Sequence, residues 1–119
     1  MSSATVVGNS IVVDFTSEWP LIIDKSEFKV RDDCGFTVNE GAITVLNVSQ
    51  TGQRQITLTC AAGTYSSVEY AYRKHDSQDV ADEYVICTGA IRDSWEEPSI
   101  FDPFGRSIKR FALGYQIIL

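Results

Sequence analysis

The stretch GAIRDSWEEP (89–98) contains the side-chain types that bind sugars. Arg92, Asp93, Trp95 and Glu96 lie within five residues of one another. A tryptophan ring can stack on the apolar C–H face of a sugar, while carboxylate and guanidinium groups bond its hydroxyls. Further residues of this kind follow, and a second tryptophan precedes a proline in another predicted loop. The candidate ligand-binding set is Trp95, Arg92, Asp93, Glu96, Asp102, Phe104, Arg106 and Trp19.

The same residues also fit a structural interpretation. Large aromatic rings are often buried, so the Trp95 ring could close the open end of a β core. Arg92 and Asp93 stand where a strand enters a loop, and a charged pair there can fix the loop through charge-assisted hydrogen bonds. The sequence leaves both interpretations open.

Catalysis has little support in the residue pattern. His75, the only histidine, lies in the polar run RKHDSQD without a nucleophile motif beside it. Glu96 and Glu97, flanked by Asp93 and Asp102, are the carboxylates available for glycoside hydrolysis. Nothing in their spacing places two of them across a cleft. We therefore predict that the domain is not an enzyme, with a small carbohydrate-active enzyme as the third hypothesis.

No metal or cofactor motif is present. The three cysteines, Cys34, Cys60 and Cys87, are about equally spaced and form no CxxC pair. They are expected to be buried, reduced thiols. Calcium ligands could come from the acidic residues Asp32, Asp33, Asp76, Asp79 and Asp82, but without a DxDxDG pattern we expect solvated loops.

Charge and hydropathy exclude several classes of partner. The 119 residues carry a net charge of −6, which argues against nucleic acid and against anionic membrane surfaces. No apolar run is long enough for a membrane-spanning helix, and the first residues show no signal-peptide pattern. The charge is compatible with neutral and with cationic partners.

The chain alternates apolar and polar residues with period two, which predicts β-strands almost throughout. Two irregular stretches interrupt this pattern: the acidic run 75–83 and the longer run 94–110. A short helical turn is plausible at 25–28, and SQTGQ (49–53) predicts a hairpin in which Gly52 supplies a positive φ. The predicted strands are 10–16, 21–30, 35–38, 42–48, 54–60, 67–73, 83–92 and 111–119.

Seven or eight short strands in a chain of this size predict an all-β fold. The expected architecture is an antiparallel β-sandwich, of jelly-roll or immunoglobulin-like type, forming one domain over 1–119. Tyr70 and Tyr72, two residues apart on one strand face, are expected in the core. A final strand that ends the chain suits the C-terminal domain of a larger protein.

The final third of the chain resembles a C-terminal β-sandwich accessory domain of bacteriophage tailspike and tail-fibre proteins. Such domains follow SGNH-type carbohydrate esterase domains. The pattern G-x-(I/L/V)-R-D-S appears here as GAIRDS (89–94), followed by a variable loop and an apolar end at 111–119. The opening GNSIVVDFT (8–16) is similar to the first strand of these domains.

This resemblance implies a virion component made in the host cytoplasm. Its function would be host attachment by binding bacterial surface polysaccharide, beside neighbouring domains of the same tail protein. The esterase activity is not implied, because no SGNH motif is present. The alternative is a structural module for homotrimer formation or domain packing. No nucleic acid, membrane insertion or cofactor is expected.

Overall fold

A computed structural model describes residues 1–25, 32–71, 89–98 and 107–119. These residues form ten β-strands and one 3-10 turn at Asn39–Gly41. No helix in the described ranges is long and apolar enough to cross a membrane. The strands are β1 (Ser3–Val7), β2 (Ser10–Asp14), β3 (Leu21–Ile23), β4 (Phe36–Val38), β5 (Val45–Gly52), β6 (Gln55–Cys60), β7 (Ser67–Tyr70), β8 (Ile91–Pro98), β9 (Ser107–Phe111) and β10 (Tyr115–Ile118).

The strands pair into three sheets, and every pairing is antiparallel. One sheet has the order β1-β2-β6-β5, the second β10-β7-β4 and the third β3-β8-β9. The third sheet carries most of the predicted site residues. The prediction of an all-β, antiparallel fold is confirmed.

Alternating hydrophobicity explains which side of each strand is buried. On β2, Ile11 and Val13 are fully buried while Val12 between them is partly exposed, and β6 repeats the pattern with Ile56 and Leu58. Successive side chains of a strand point to opposite faces, so these residues form one apolar face of the first sheet.

All three sheets contribute to one hydrophobic core. Phe36, Phe15 and Tyr70 meet at its centre, with ring centroids 4.9 to 6.5 Å apart. Tyr70 is completely buried, as predicted, and Tyr72 lies outside the described residues. The other buried hydrophobic residues are Ile11, Val13, Leu21, Cys34, Val38, Ile56, Leu58, Cys60, Val68, Ala71, Ala90 and Ile91.

The predicted end of a strand at Arg92 is wrong. Residues 94–98 continue as β8, and 107–111 form β9, so only the middle of the expected long loop lies outside the described residues. The reason is pairing with β9, which opposes Glu96, Glu97 and Pro98, whereas β3 pairs with Ile91, Arg92 and Asp93 at the start of β8. The pairing register between β8 and β9 shifts between Arg92 and Glu96. Backbone pairing thus makes a strand from residues that look like a loop.

Other local predictions differ in detail. The described residues contain ten strands rather than seven or eight, because β1 and β9 were not expected. The hairpin at 49–53 is confirmed as β5–β6, but its turn lies at Gln53 and Arg54, and Gly52 is not among the positive-φ residues. The turn at 26–28, the acidic run 75–83, and residues 83–88 of the predicted strand lie outside the described residues.

Candidate functional site

The first residues of the GAIRDS motif hold β8 against the core. The hydroxyl of Tyr70 accepts a hydrogen bond from the backbone N–H of Ile91 (3.0 Å) and donates to its carbonyl oxygen (3.2 Å). A side chain on Gly89 would overlap the Tyr70 ring. Burial raises the pKa of Tyr70 to about 12, so this hydroxyl stays protonated. Gly89 and Ile91 therefore have structural roles.

Arg92 is a buried cation with several partners. Its side chain is 8% exposed, and the guanidinium donates from Nε to Asp24 Oδ2 at 2.8 Å and from Nη1 to the Asp93 carbonyl at 3.0 Å. Lys109 Nζ lies 3.6 Å from the same Asp24 oxygen, and Glu96 Oε2 lies 4.0 Å from Arg92 Nη2. This network ties β3, β8 and β9 together through charge-assisted bonds.

Asp93 organises the next part of the motif. One carboxylate oxygen accepts the backbone N–H of Trp95 at 3.1 Å, and the other lies 2.6 Å from Arg110 Nη2. The Arg110 guanidinium also lies over the Trp95 ring, 4.7 Å from its centroid. Arg110 is therefore held between a carboxylate and an aromatic face, and nearly half of its side chain is exposed. Trp95 is half-buried and is not one of the core side chains.

A pocket of about 630 Å³ opens beside this ion pair. Its size is typical of sites that bind small molecules, which span roughly 300 to 1,000 Å³. The lining combines aromatic rings, charged side chains and backbone, drawn from four separate parts of the chain. It consists of Met1, Phe15, Thr16, Ser17, Glu18, Leu21, Arg92, Asp93, Arg110, Phe111, Ala112, Leu113, Gly114 and Tyr115.

The loop that contains Ser17 and Glu18 forms one rim of the pocket and is held by a side chain of the first sheet's hairpin. Arg54, in the β5–β6 turn, donates from Nε to the Ser17 carbonyl and from Nη2 to the Glu18 carbonyl at 3.1 Å. Trp19 follows in this loop and is 46% exposed. The rim is therefore held by the neighbouring sheet, which preorganises it for binding.

The structure brings together only part of the predicted set. Arg92 and Asp93 line the pocket, whereas Trp95, Glu96 and Trp19 do not. Continuing the Leu21↔Asp93 register by two residues would bring Trp19 opposite Trp95, and the Ser94 N–H already bonds the Pro20 carbonyl at 2.8 Å. Both tryptophans thus lie next to pocket-lining residues. Asp102, Phe104 and Arg106 lie outside the described residues.

Of the fourteen lining residues, the sequence predicts only Arg92 and Asp93. Arg110, Phe111 and Tyr115 are the charged and aromatic residues near the C-terminal end that it does not predict. Tyr115 offers a weak signal in the sequence, since it follows Gly114 in an aliphatic segment. Arg110 offers none, because its partner Asp93 is found only once β8 and β9 are paired.

A buried carboxylate lies on the second sheet, away from this pocket. Glu69 is 1% exposed, although the alternation of β7 predicts a polar face for it. Its Oε1 accepts the backbone N–H of Glu40 at 2.6 Å and the Ser67 hydroxyl at 3.1 Å, while Oε2 has no hydrogen-bond partner among the described residues. Burial is the main cause that raises the pKa of Glu69, and the nearby Glu40 charge adds to it.

The stability of the domain should therefore depend on the charge of Glu69. A carboxyl group whose pKa is higher in the folded than in the unfolded state stabilises the fold while it is protonated. This stabilisation is complete below the unfolded-state pKa and is lost as the pH rises through the folded-state pKa. As the pH rises from 4 to 8, we expect the Glu69→Gln variant to become more stable relative to the natural chain. The difference in the free energy of unfolding should reach roughly 1 kcal/mol, the lower end of the cost of a buried polar group without a hydrogen bond. Urea unfolding across this range measures it.

The Glu97→Gln variant, which replaces an exposed carboxylate, is the control for this measurement. A Glu69→Gln difference that does not change with pH would contradict the assignment.

The described cysteines behave as predicted. Cys34 and Cys60 are buried free thiols, and burial raises the pKa of both. Cys87, His75 and the acidic residues Asp76, Asp79 and Asp82 lie outside the described residues. Asp33 accepts the Gly35 N–H at 2.9 Å, and the exposed Asp32 pairs with Lys25 at 3.7 Å. Within the described ranges, no group of three or more His, Cys, Asp or Glu residues could hold a metal ion.

Comparison of the chain with protein-family models, with curated proteins and with solved structures finds no significant match.

Proposed function

We propose that this chain is a non-catalytic carbohydrate-binding domain whose ligand occupies the pocket beside Asp93 and Arg110. The observation that carries the proposal is the composition of the pocket lining. It includes Phe111 and Tyr115, which are not among the buried core residues, and the core residue Phe15, together with a fixed carboxylate–guanidinium pair. Apolar ring faces with a few convergent polar groups are the features that a sugar requires.

The chemistry of each group follows from its exposure. Tyr115 is the most exposed of the three rings, so it can stack on the C–H face of a sugar ring. Asp93 offers carboxylate lone pairs and Arg110 offers N–H donors beside them. Because a sugar hydroxyl can both donate and accept, one of two adjacent hydroxyls can donate to Asp93 while the other accepts from Arg110. Both Asp93 oxygens are already held by protein donors, which suits a fixed acceptor more than an acid or a nucleophile.

The biological setting is proposed on the resemblance alone. We propose that the three sheets form a β-sandwich and that the domain belongs to a phage tail protein that attaches to host polysaccharide. The support is the GAIRDS motif at 89–94. Gly89, Ile91, Arg92 and Asp93 have structural roles that any domain with this local packing would need. The motif therefore bears more on the fold than on the ligand.

Replacing Tyr115 by alanine tests the binding proposal. We expect an affinity loss of about tenfold for the recognised glycan, because a stacking ring contributes about 1.4 kcal/mol. Stability should hardly change, since the side chain is largely exposed. Isothermal titration calorimetry with bacterial surface polysaccharides measures the loss. Leu46→Ala removes a similarly exposed apolar side chain outside the pocket and should bind normally. Equal affinity in all three proteins would contradict the site.

A structural module is the second candidate, and one observation favours it. Leu113, Tyr115, Ile118 and Leu119 are all exposed within the last seven residues. Several exposed apolar side chains in one short segment can mark a surface that contacts a partner. Light scattering separates the two functions, since a monodisperse monomer at tens of micromolar would count against a trimerisation module.

A further inference from the structure

We infer that the sugar bound in this pocket is uncharged, because the cationic side chains around it are already paired with carboxylates. The inference rests on the proposed carbohydrate-binding function and narrows it to a ligand class. It excludes acidic polysaccharides rich in uronic or sialic acids, which need unpaired cations for recognition.

The pairing involves the three described cationic side chains of β8 and β9, whereas Arg54 at the rim donates to the backbone carbonyls of Ser17 and Glu18. Arg92 Nε lies 2.8 Å from Asp24 Oδ2, and both side chains are about 90% buried. Lys109 Nζ approaches the same carboxylate at 3.6 Å. Arg110, which is the most exposed of the three, lies 2.6 Å from Asp93 and has the Trp95 ring against its face. Strong, short bonds of this kind are costly to exchange for a ligand carboxylate.

The remaining charges around the pocket do not favour an anion. Glu18 lines the rim and is exposed, and Glu96 lies 4.0 Å from Arg92. Together with Asp24 and Asp93, the described site has four carboxylates for four cationic side chains once Arg54 at the rim is counted, so it has no excess of positive charge for an anion. The chain as a whole carries a net charge of −6.

A neutral sugar uses the ion pair without breaking it. Its hydroxyls can donate to the second lone pairs of Asp93 and accept from the remaining N–H groups of Arg110. An acidic sugar would have to compete with Asp93 for Arg110 while facing Glu18. Repulsion between like charges in a partly desolvated site costs affinity and gives specificity.

The test is a titration of the full chain with two matched sets of polysaccharides. The neutral set is dextran, mannan and galactan, and the acidic set is polygalacturonate, alginate and polysialic acid. Titrations at about 0.05 M and about 0.5 M NaCl separate specific binding from charge attraction, because salt screens exposed charges. We expect saturable binding of at least one neutral glycan, with an affinity that changes less than about twofold with salt.

The outcomes distinguish the inference from the proposed function. Tighter binding of an acidic glycan, with a steep loss at high salt, would overturn the inference and leave carbohydrate binding in place. If neither the neutral nor the acidic polysaccharides bind, the inference and the proposed carbohydrate-binding function are both wrong.

Glu18→Gln provides an independent check of the charge argument. This variant should bind acidic glycans about two- to fivefold more tightly, because it removes a repelling charge at the rim. Its affinity for the neutral glycan should stay the same. Glu97→Gln, outside the pocket lining, should change neither. A Glu18→Gln variant that weakens acidic binding would contradict the inference.

Discussion

Replacing Arg92 by alanine is expected to lower the free energy of unfolding by about 3 kcal/mol, measured by urea denaturation. The change leaves Asp24 buried, with Lys109 at 3.6 Å as the remaining cation that the described residues place beside it. Breaking a buried ion pair from one side is costly because the remaining charge keeps its desolvation penalty without its main partner. The loss should also release the bond to the Asp93 carbonyl, loosening β8 next to the pocket.

Two further variants show whether burial is the cause. Asp32→Asn breaks the exposed pair with Lys25, whose side chains are 110% and 49% exposed, and should cost less than about 0.5 kcal/mol. The double variant Asp24→Leu with Arg92→Met replaces the buried pair by apolar groups and should recover most of the loss. If Arg92→Ala costs no more than Asp32→Asn, the described network is wrong.

Replacing Gly89 by alanine should destabilise the domain by about 3 kcal/mol or more, because the new methyl group would overlap the buried Tyr70 ring. Tyr70 cannot move aside easily, since its hydroxyl makes both hydrogen bonds to Ile91. The backbone at Gly89 is not among the positive-φ positions, so the expected cost comes from the clash and not from the conformation. Thermal and urea unfolding measure it.

Gly41→Ala is the matched control for this effect. Gly41 has φ +98° and open space where the methyl group would go, so only backbone strain is added. Such strain costs about 1 kcal/mol. A Gly89→Ala variant as stable as the natural chain would show that the Tyr70 ring does not pack on this glycine.

Much of the fold follows from local pattern. The strict alternation of Ile11 and Val13 on β2, and of Ile56 and Leu58 on β6, predicts both the strands and their buried faces. The β5–β6 hairpin is predicted by two such strands around a turn. These features depend on neighbours in the sequence, which is why periodicity finds them.

The third sheet could not be predicted in the same way. The end of β8 forms a strand because β9 supplies its backbone partners, and β9 itself begins about ten residues after Glu96. The pocket depends on the same long-range pairing, since Asp93 and Arg110 meet only across β8 and β9. Glu69 is a similar case: its burial comes from the turn at Asn39–Gly41, which is distant in sequence. Tertiary contacts of this kind override local polarity.

Most of the described residues that the sequence predicts for the binding site lie on β8 and support the pocket through hydrogen bonds and ion pairs. Arg92 and Asp93 have both a structural and a pocket-lining position, so the two interpretations of the motif are compatible. Trp95 acts on the pocket through Arg110 and does not line it. The rings that do line it come from other parts of the chain.

The most direct test of carbohydrate binding at this pocket is a tryptophan-fluorescence titration with a panel of bacterial surface polysaccharides. Trp19 and Trp95 are the only tryptophans. Trp95 stacks on the pocket-lining Arg110, and Trp19 follows the pocket-lining Glu18. We expect a saturable change with at least one glycan, which Tyr115→Ala weakens about tenfold. A folded protein whose fluorescence responds to none of the glycans, or responds identically after Tyr115→Ala, would contradict it.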